Sequence, residues 1–330
     1  MDHPRRLQVL QAIVQEYVQS REPVGSKTLL QRYQLGVSSA TIRNDMAALE
    51  DAGYILAPHA SAGRVPTHLG YRVFVDHMTS LTPLSLPERQ AIDSLLERAQ
   101  SQDEALQASA RLLASLTHQV ALIQLPARPQ SLICHLDLVS LSAESLLLVL
   151  VTEGGDLYQA RVQAHCQDDE LADLTLSLRQ LYLNKPLDQL AQAGANRLFP
   201  ASLGQLEGAI SALGRQGQER QLLIAGTSYL AEATPDFSGS IGPILQALEE
   251  QDQLVNLLAD LPPAEGGYRV MIGAEHKDIA LAETSLVASS YGPGERAYLG
   301  VVGPTRMDYP ATVAKVKALA GHLSSFLGQT

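Results

Sequence analysis

Residues 23–72 read PVGSKTLLQRYQLGVSSATIRNDMAALEDAGYILAPHASAGRVPTHLGYR, and this stretch decides the fold of the N-terminal part of the chain. Two short segments with apolar residues at helical spacing are separated by a break at Gly36, and a Gly-tipped hairpin follows them. The order helix, sharp turn, helix, hairpin is typical of a winged helix-turn-helix. In such a module the second helix of the helix-turn-helix motif fits the major groove, so the stretch predicts binding to double-stranded DNA.

The first two helices of this module are predicted from apolar spacing and capping. An apolar stripe at i, i+3, i+4 and i+7 spacing predicts a helix from Arg5 to Ser20, which Pro23 ends. Ser26 is expected to cap the second helix. Its inward-facing residues are expected to be Leu29, Leu30 and Tyr33.

The third helix is predicted to follow Ser38 and Ser39, either of which can cap it, and to end near Ala52. At 100° per residue it has one apolar face, formed by Ile42, Met46 and Leu49. The opposite face is small or polar, with Ala40, Asn44, Ala47 and Ala48 at its centre and Thr41 and Arg43 on its flanks. Small residues on that face allow the helix backbone to approach the floor of a groove.

Eight residues of the module are candidate DNA contacts: Lys27, Thr28, Ser38, Ser39, Thr41, Arg43, Asn44 and Arg64. Asn can bond adenine bidentately and Arg can bond guanine, so the base readers are expected on the first two turns of the third helix. These candidate base readers are Ser39, Thr41, Arg43 and Asn44. The alternative for Ser38 and Ser39 is that they bind phosphate together with the free N–H groups of the helix start, and Lys27 and Thr28 are expected on phosphate. Arg64 is expected at the tip of the wing, in a minor groove or on phosphate. The alternative is that Arg43 and Asn44 are only solvated and that the serines only cap.

Charge and composition restrict the class of protein. The net charge is −11; residues 1–78 hold eight Lys or Arg and seven Asp or Glu, whereas residues 79–330 hold sixteen and twenty-eight. An acidic body on a nearly neutral module suits binding to DNA through one small patch. The chain has no run of about 18 apolar residues and no signal-peptide pattern, so no membrane association and a cytoplasmic location are expected. Two cysteines are too few for a disulfide framework.

Beyond a Pro-punctuated linker at residues 81–87 the pattern predicts an α+β body. An antiparallel meander is expected over residues 132–162, a mainly helical region over 168–261, and further strands from Tyr268 before a last helix that Pro310 opens. A β-rich domain interrupted by a helical insertion explains this order. The expected domains are 1–80, 81–166, 167–264 and 265–330, the second and fourth forming one domain and the third the insertion.

Several motifs resemble the HrcA family of heat-inducible transcription repressors. The strings SSATIRNDM and SAGRVPT carry the N-terminal match, and SLVASSYG (residues 285–292) and GVVGPTRMDYP (residues 300–310) resemble the family's C-terminal signature. The resemblance implies a homodimeric repressor that binds an inverted-repeat operator upstream of chaperone operons. It also implies a winged helix, a GAF-like α/β domain with an inserted dimerisation domain, and dependence on the GroEL chaperonin.

Metal binding, catalysis and cofactor binding are not expected. Cys134-His135 and His165-Cys166 match no zinc spacing, and adjacent strand residues point to opposite faces, so no metal is expected. No catalytic or nucleotide-binding motif occurs, so the chain is expected to be neither an enzyme nor dependent on a cofactor. The alternative left open is a metabolite-gated regulator whose GAF-like domain senses a small ligand, with Tyr158, Tyr291 and Tyr298 as candidate pocket residues.

Overall fold

In a computed structural model the chain has two compact units, Met1–Leu125 with Gln221–Thr330 and Pro126–Arg220. The structure describes residues 4–59, 62–99, 101–125, 131–142, 144–164, 168–195, 204–216, 221–237, 239, 241–250, 254–255, 257–258, 261, 266–292 and 297–328. The predicted multidomain α+β class is confirmed. Within the described residues, no helix combines the length and the apolar character that a membrane span requires.

The first unit begins with the winged helix-turn-helix. Its elements are α1 (Pro4–Ser20), α2 (Ser26–Arg32), α3 (Ser39–Asp51), β1 (Ile55–Leu56), β2 (Val65–Pro66) and α4 (His68–Asp76). The two short strands pair antiparallel, with Ile55 opposite Pro66 and Leu56 opposite Val65. The predicted order of elements is therefore confirmed. Two local details differ: Gly25 rather than Ser26 is the N-cap of α2, and Leu30 is exposed rather than inward-facing.

The rest of the first unit is an α/β body built on a five-stranded antiparallel sheet. Helices α5 (Leu86–Arg98) and α6 (Gln102–Thr117) precede strand β3 (Val120–Gln124). After the second unit come β7 (Leu222–Ala225), α9 (Thr227–Glu232), α10 (Gly242–Glu249), β8 (Arg269–Ile272), β9 (Thr284–Tyr291), β10 (Ala297–Pro304) and α11 (Tyr309–Leu327). The strand order is β7-β3-β10-β9-β8. The strands expected near residues 222, 268, 286 and 298 are all present.

The core of the winged helix is continuous with that of the body. One apolar cluster contains Ile13 and Ile42 of the winged helix together with Leu299 and Val316 of the body. Tyr71 of α4 packs against Tyr309 at the start of α11, with ring centroids 5.8 Å apart. Burial raises the pKa of the Tyr309 hydroxyl, which stays protonated and bonds Ser285. The winged helix is thus packed on the body as part of one hydrophobic core.

The second unit has its own sheet and its own core. Strands β4 (Ile133–Ser142), β5 (Ser145–Thr152) and β6 (Leu157–Gln163) form an antiparallel meander in the order β4-β5-β6. Its apolar face packs on α7 (Asp168–Tyr182), on a 3₁₀ segment (Leu187–Ala195) and on α8 (Gly204–Gln216).

The units divide the chain at different points from the expected domains. The meander belongs to the unit spanning Pro126–Arg220 and not to the sheet of the body, whereas residues 221–261 belong to the body. The physical reason is strand pairing: Ala225 of β7 lies opposite Ala121 of β3, which places the segment after residue 220 in the five-stranded sheet. The insertion therefore contains a β-sheet in addition to helices.

Candidate nucleic-acid interface

Helix α3 has one buried and one exposed face, as its sequence predicts. Ile42, Met46 and Leu49 are buried against the core of the module. The exposed residues of the first two and a half turns are Ala40, Arg43, Asn44 and Ala47, while Thr41 and Ala48 are half-buried. The helix therefore presents two polar side chains between two alanines, whose methyl groups allow a close approach of the backbone.

The start of α3 is fixed by serine and threonine side chains. Ser38 is the N-cap: its hydroxyl oxygen accepts from the backbone N–H of Thr41 at 3.2 Å and lies 3.0 Å from the Thr41 hydroxyl. The hydroxyl of Ser39 lies 3.3 Å from that of Ser26, the first residue of α2. The candidate contacts Ser38, Ser39 and Thr41 thus lie together at the turn, and Lys27 and Thr28 follow Ser26 on α2.

Two buried carboxylates hold α3 and α2 on the first helix. The carboxylate of Asp45, on α3, accepts from Arg5 at 2.7 Å and has Arg6 at 3.7 Å. Glu16, on α1, accepts from Arg32 of α2 at 2.6 Å. Desolvation raises the pKa of the neighbouring Tyr33 hydroxyl, and the Glu16 carboxylate adds to this effect. Both carboxylates are therefore turned inward and paired, so that they do not add negative charge to the exposed face of α3.

Most of the positive charge of the module is compensated within the protein. Six of its eight Lys and Arg residues have a carboxylate oxygen within 3.9 Å: Arg5, Arg6, Arg21, Arg32, Arg64 and Arg72. Lys27 and Arg43 are exposed and have no such partner in the part of the chain that the structure describes. Lys27 follows Ser26, whose hydroxyl lies 3.3 Å from that of Ser39, and Arg43 lies about one turn after Ser39 on α3.

Arg64 does not lie at the tip of the wing, which corrects its expected position. It is the last residue of the loop that joins β1 to β2, next to the pair Leu56–Val65, and both its backbone N–H and its carbonyl pair with Val24 at 2.9 Å. Its guanidinium donates to Glu50 in the last turn of α3. The preceding loop residue, Gly63, is packed on the same segment, because a Cβ there would lie 2.5 Å from the carbonyl carbon of Pro23. Residues 60 and 61 of this loop lie outside the described residues.

The other candidate residues that the structure describes occupy separate positions. Cys134 is exposed and weakly bonds the carbonyl of Val151, and His165 and Cys166 lie outside the described residues. No group of three or more metal-binding side chains occurs among the residues described. Tyr291 is a core residue that donates to the carbonyl of Gln124 at 2.6 Å, and the hydroxyl of Tyr298 accepts from Arg269. Tyr158 lies on β6 of the second unit.

The chain is similar to curated proteins over nearly its whole length. The family model described as HrcA protein C terminal domain matches residues 103–313, and a helix-turn-helix model described as HTH domain matches residues 9–72. Proteins named "Heat-inducible transcription repressor HrcA" from Arthrobacter sp. and Pseudarthrobacter chlorophenolicus are 46% and 47% identical; each alignment covers 99% of this chain and 100% of the relative. The protein of that name from Cutibacterium acnes is 43% identical over 98% of each chain.

A solved structure supports the fold independently. The crystal structure of a hypothetical protein superposes with a TM-score of 0.68 at 24% sequence identity and covers 99% of both chains. The similarity in structure therefore extends over both units and the winged helix, beyond the segments with sequence signatures.

Proposed function

Because the chain belongs to the HrcA family of heat-inducible transcription repressors, we propose that it represses chaperone operons by binding an inverted-repeat operator as a homodimer. The observation that carries this proposal is the exposed face of α3, which projects Arg43 and Asn44 between two alanines while its opposite face is buried. A helix presented in this way fits the major groove. From here on α3 is called the recognition helix.

Each side chain of this face has a distinct proposed role. Asn44 bonds an adenine edge and Arg43 a guanine edge, each contributing about 1–3 kcal/mol of discrimination against the wrong base. Lys27 and Thr28 bind phosphate beside the recognition helix. The hydroxyls of Ser38, Ser39 and Thr41 are close enough to the helix start to bind phosphate or base edges, together with the backbone N–H groups there.

Dimerisation brings two recognition helices to the two halves of an operator. The unit spanning Pro126–Arg220 has its own sheet and its own core, which supports a separate role for it, and we assign dimerisation to this unit. A two-fold axis between protomers matches the symmetry of an inverted repeat, so the spacing of the half-sites follows from the dimer geometry.

The DNA-binding part of the proposal is tested by a gel-shift titration of the inverted repeat upstream of the organism's own chaperonin operon. Arg43→Ala and Asn44→Ala are each expected to weaken specific binding about fivefold to a hundredfold, while non-specific binding changes less. Gln15→Ala, at an exposed position on α1, is the matched control. If both variants bind the repeat as tightly as the control, the recognition helix does not read the operator.

Heat control is proposed to act through the GroEL chaperonin in the cytoplasm. Client proteins that misfold on heating compete for the chaperonin, active repressor falls, and the operons are released. This part rests on membership of a family whose members are named heat-inducible. A heat-and-cool cycle of purified protein with and without GroEL tests it. Full operator affinity after the cycle without GroEL would contradict the dependence.

A further inference from the structure

The guanidinium of Arg64 is bonded to other groups of the protein itself. Its Nε and a terminal nitrogen both point at Oε2 of Glu50, at 2.9 and 2.8 Å, and its other terminal nitrogen donates to the carbonyl of Ala62 at 3.2 Å. The two side chains are 27% and 32% exposed, so the pair is mostly shielded from water. A charge-assisted pair at this depth is stronger than an open surface pair.

The backbone around Arg64 fixes the origin of that side chain. Both backbone hydrogen-bonding groups of Arg64 are used by Val24, which is buried. The preceding residue, Gly63, is packed so closely on Pro23 and Val24 that a Cβ would lie 2.5–2.6 Å from their backbone atoms. The end of the wing loop at Gly63 and Arg64 is therefore held on the segment between α1 and α2.

The Glu50–Arg64 pair adds a second connection, from this end of the loop to the recognition helix. Glu50 lies in the last turn of the recognition helix, and Arg64 lies beside the first residue of β2, so the pair bridges the helix to the wing. We propose that Arg64 is a positioning residue that sets the wing against the recognition helix, and that it does not bind phosphate. This inference rests on the proposed function, because the tilt of the wing matters only if helix and wing contact one duplex.

Glu50→Gln distinguishes the two roles, because they predict opposite changes in operator affinity. If Arg64 positions the wing, Glu50→Gln weakens the pair and lowers operator affinity, about fivefold for the loss of a partly buried ion pair. If Arg64 binds phosphate, the same change frees its charge, so affinity rises and the salt dependence becomes steeper. The glutamine keeps the shape of the side chain, which limits damage to the fold.

The complete experiment is a double-mutant cycle on operator affinity, measured at several salt concentrations. Arg64→Ala and Glu50→Ala are each expected to weaken binding about fivefold, and the double variant is expected to be no weaker than either single variant. All three are expected to keep the wild-type salt slope. Lys27→Ala is the control for a phosphate contact, because it is expected to flatten that slope. The exchanged pair, Glu50→Arg with Arg64→Glu, is expected to recover part of the lost affinity.

Failure of the inference and failure of the proposed function give different results. Wild-type affinity or tighter binding in Glu50→Gln, or a flatter slope in Arg64→Ala, overturns the positioning role while the wild type still binds the repeat. Failure of the wild type itself to prefer the inverted repeat over unrelated duplex contradicts the proposed function instead.

Discussion

Replacing Lys27 or Arg43 with alanine is expected to flatten the salt dependence of operator binding. Counterions are released from DNA only when a protein cation neutralises a phosphate, and a cation already paired with a carboxylate contributes little. In the winged helix, Lys27 and Arg43 are the exposed cations that lack a carboxylate partner within the described structure. Arg43 has a proposed contact with a base edge, yet its charge still lies within the phosphate field of the groove.

The magnitude follows from this charge distribution. Two such cations in each protomer make four in the proposed homodimer, and a slope of about −0.9 per phosphate gives about −3.6 for log K against log salt concentration. Either substitution removes one cation from each protomer, so the slope is expected to fall to about −1.8. Changing both residues is expected to leave almost no salt dependence.

Fluorescence anisotropy with a labelled operator duplex measures these slopes between about 50 and 200 mM salt, the range over which counterion release is large. Gln15→Ala is expected to keep the wild-type slope. Equal slopes for the wild type and both variants would refute the assignment of phosphate contacts. A wild-type slope clearly steeper than about −3.6, on the other hand, would show that some of the paired arginines leave their carboxylates and bind DNA.

Three further changes test other parts of the structure. Asp45→Asn removes a buried carboxylate that pairs with two partly exposed arginines, and it is expected to lower the free energy of unfolding by about 1–2 kcal/mol in urea titrations. An unchanged midpoint would show that the pair is dispensable. Gly63→Ala places a methyl group against the backbone of Pro23 and is expected to weaken operator binding at unchanged helical content by circular dichroism; wild-type affinity would contradict the close packing of the wing. The pKa of Glu88 is lowered to about 2 by the backbone N–H and hydroxyl of Ser85 and by Lys315. The ionised Glu88 carboxylate therefore stabilises the fold above its ordinary pKa of 4.5, and this stabilisation is lost as the pH falls from there toward about 2. Glu88→Gln is expected to remove this part of the acid dependence of stability. If Glu88→Gln and the wild type unfold identically in an acid titration, the Glu88 carboxylate does not stabilise the fold in this way.

The two faces of the recognition helix were predictable because they depend on local spacing alone. Ile42, Met46 and Leu49 recur at helical intervals, and burial of one apolar stripe forces Asn44 and Ala47 outward. The serine and threonine cap is likewise a local signal, since its donor and acceptor lie three residues apart.

The role of Arg64 was not predictable in this way. A glycine and an arginine between two prolines suggest a hairpin tip, and no local signal reports that the chain at Gly63 returns to the backbone of Pro23. The ion pair with Glu50 depends on that return and on where the recognition helix ends, both of which are tertiary properties. Sequence patterns marked Arg64 as a candidate DNA contact but could not identify its partner within the protein.

The limits of the insertion were mispredicted for a related reason. Alternating or continuous apolar runs predict that a segment is a strand, but they do not say which sheet it joins. The meander from β4 to β6 and the strands of the body have similar composition, and only the pairing of β7 with β3 shows where the body resumes. Non-local pairing of this kind has no signature in the spacing of a single sequence.

The charge distribution has a consequence for how the proposed repressor finds its operator. Six of the eight cations of the winged helix are paired with carboxylates, and the body is acidic. Each protomer is therefore expected to have little non-specific attraction to DNA. Weak non-specific binding improves discrimination, because the genome offers a very large excess of competing sites. The cost is a low affinity for a single half-site, and the dimer offsets it, since the second half-site is bound at high effective concentration once the first is occupied.

Operator binding is therefore expected to depend steeply on the presence of both half-sites. A duplex with one half-site scrambled tests this: it should be bound at least about a hundredfold more weakly, whereas a loss below about tenfold would mean that one winged helix suffices.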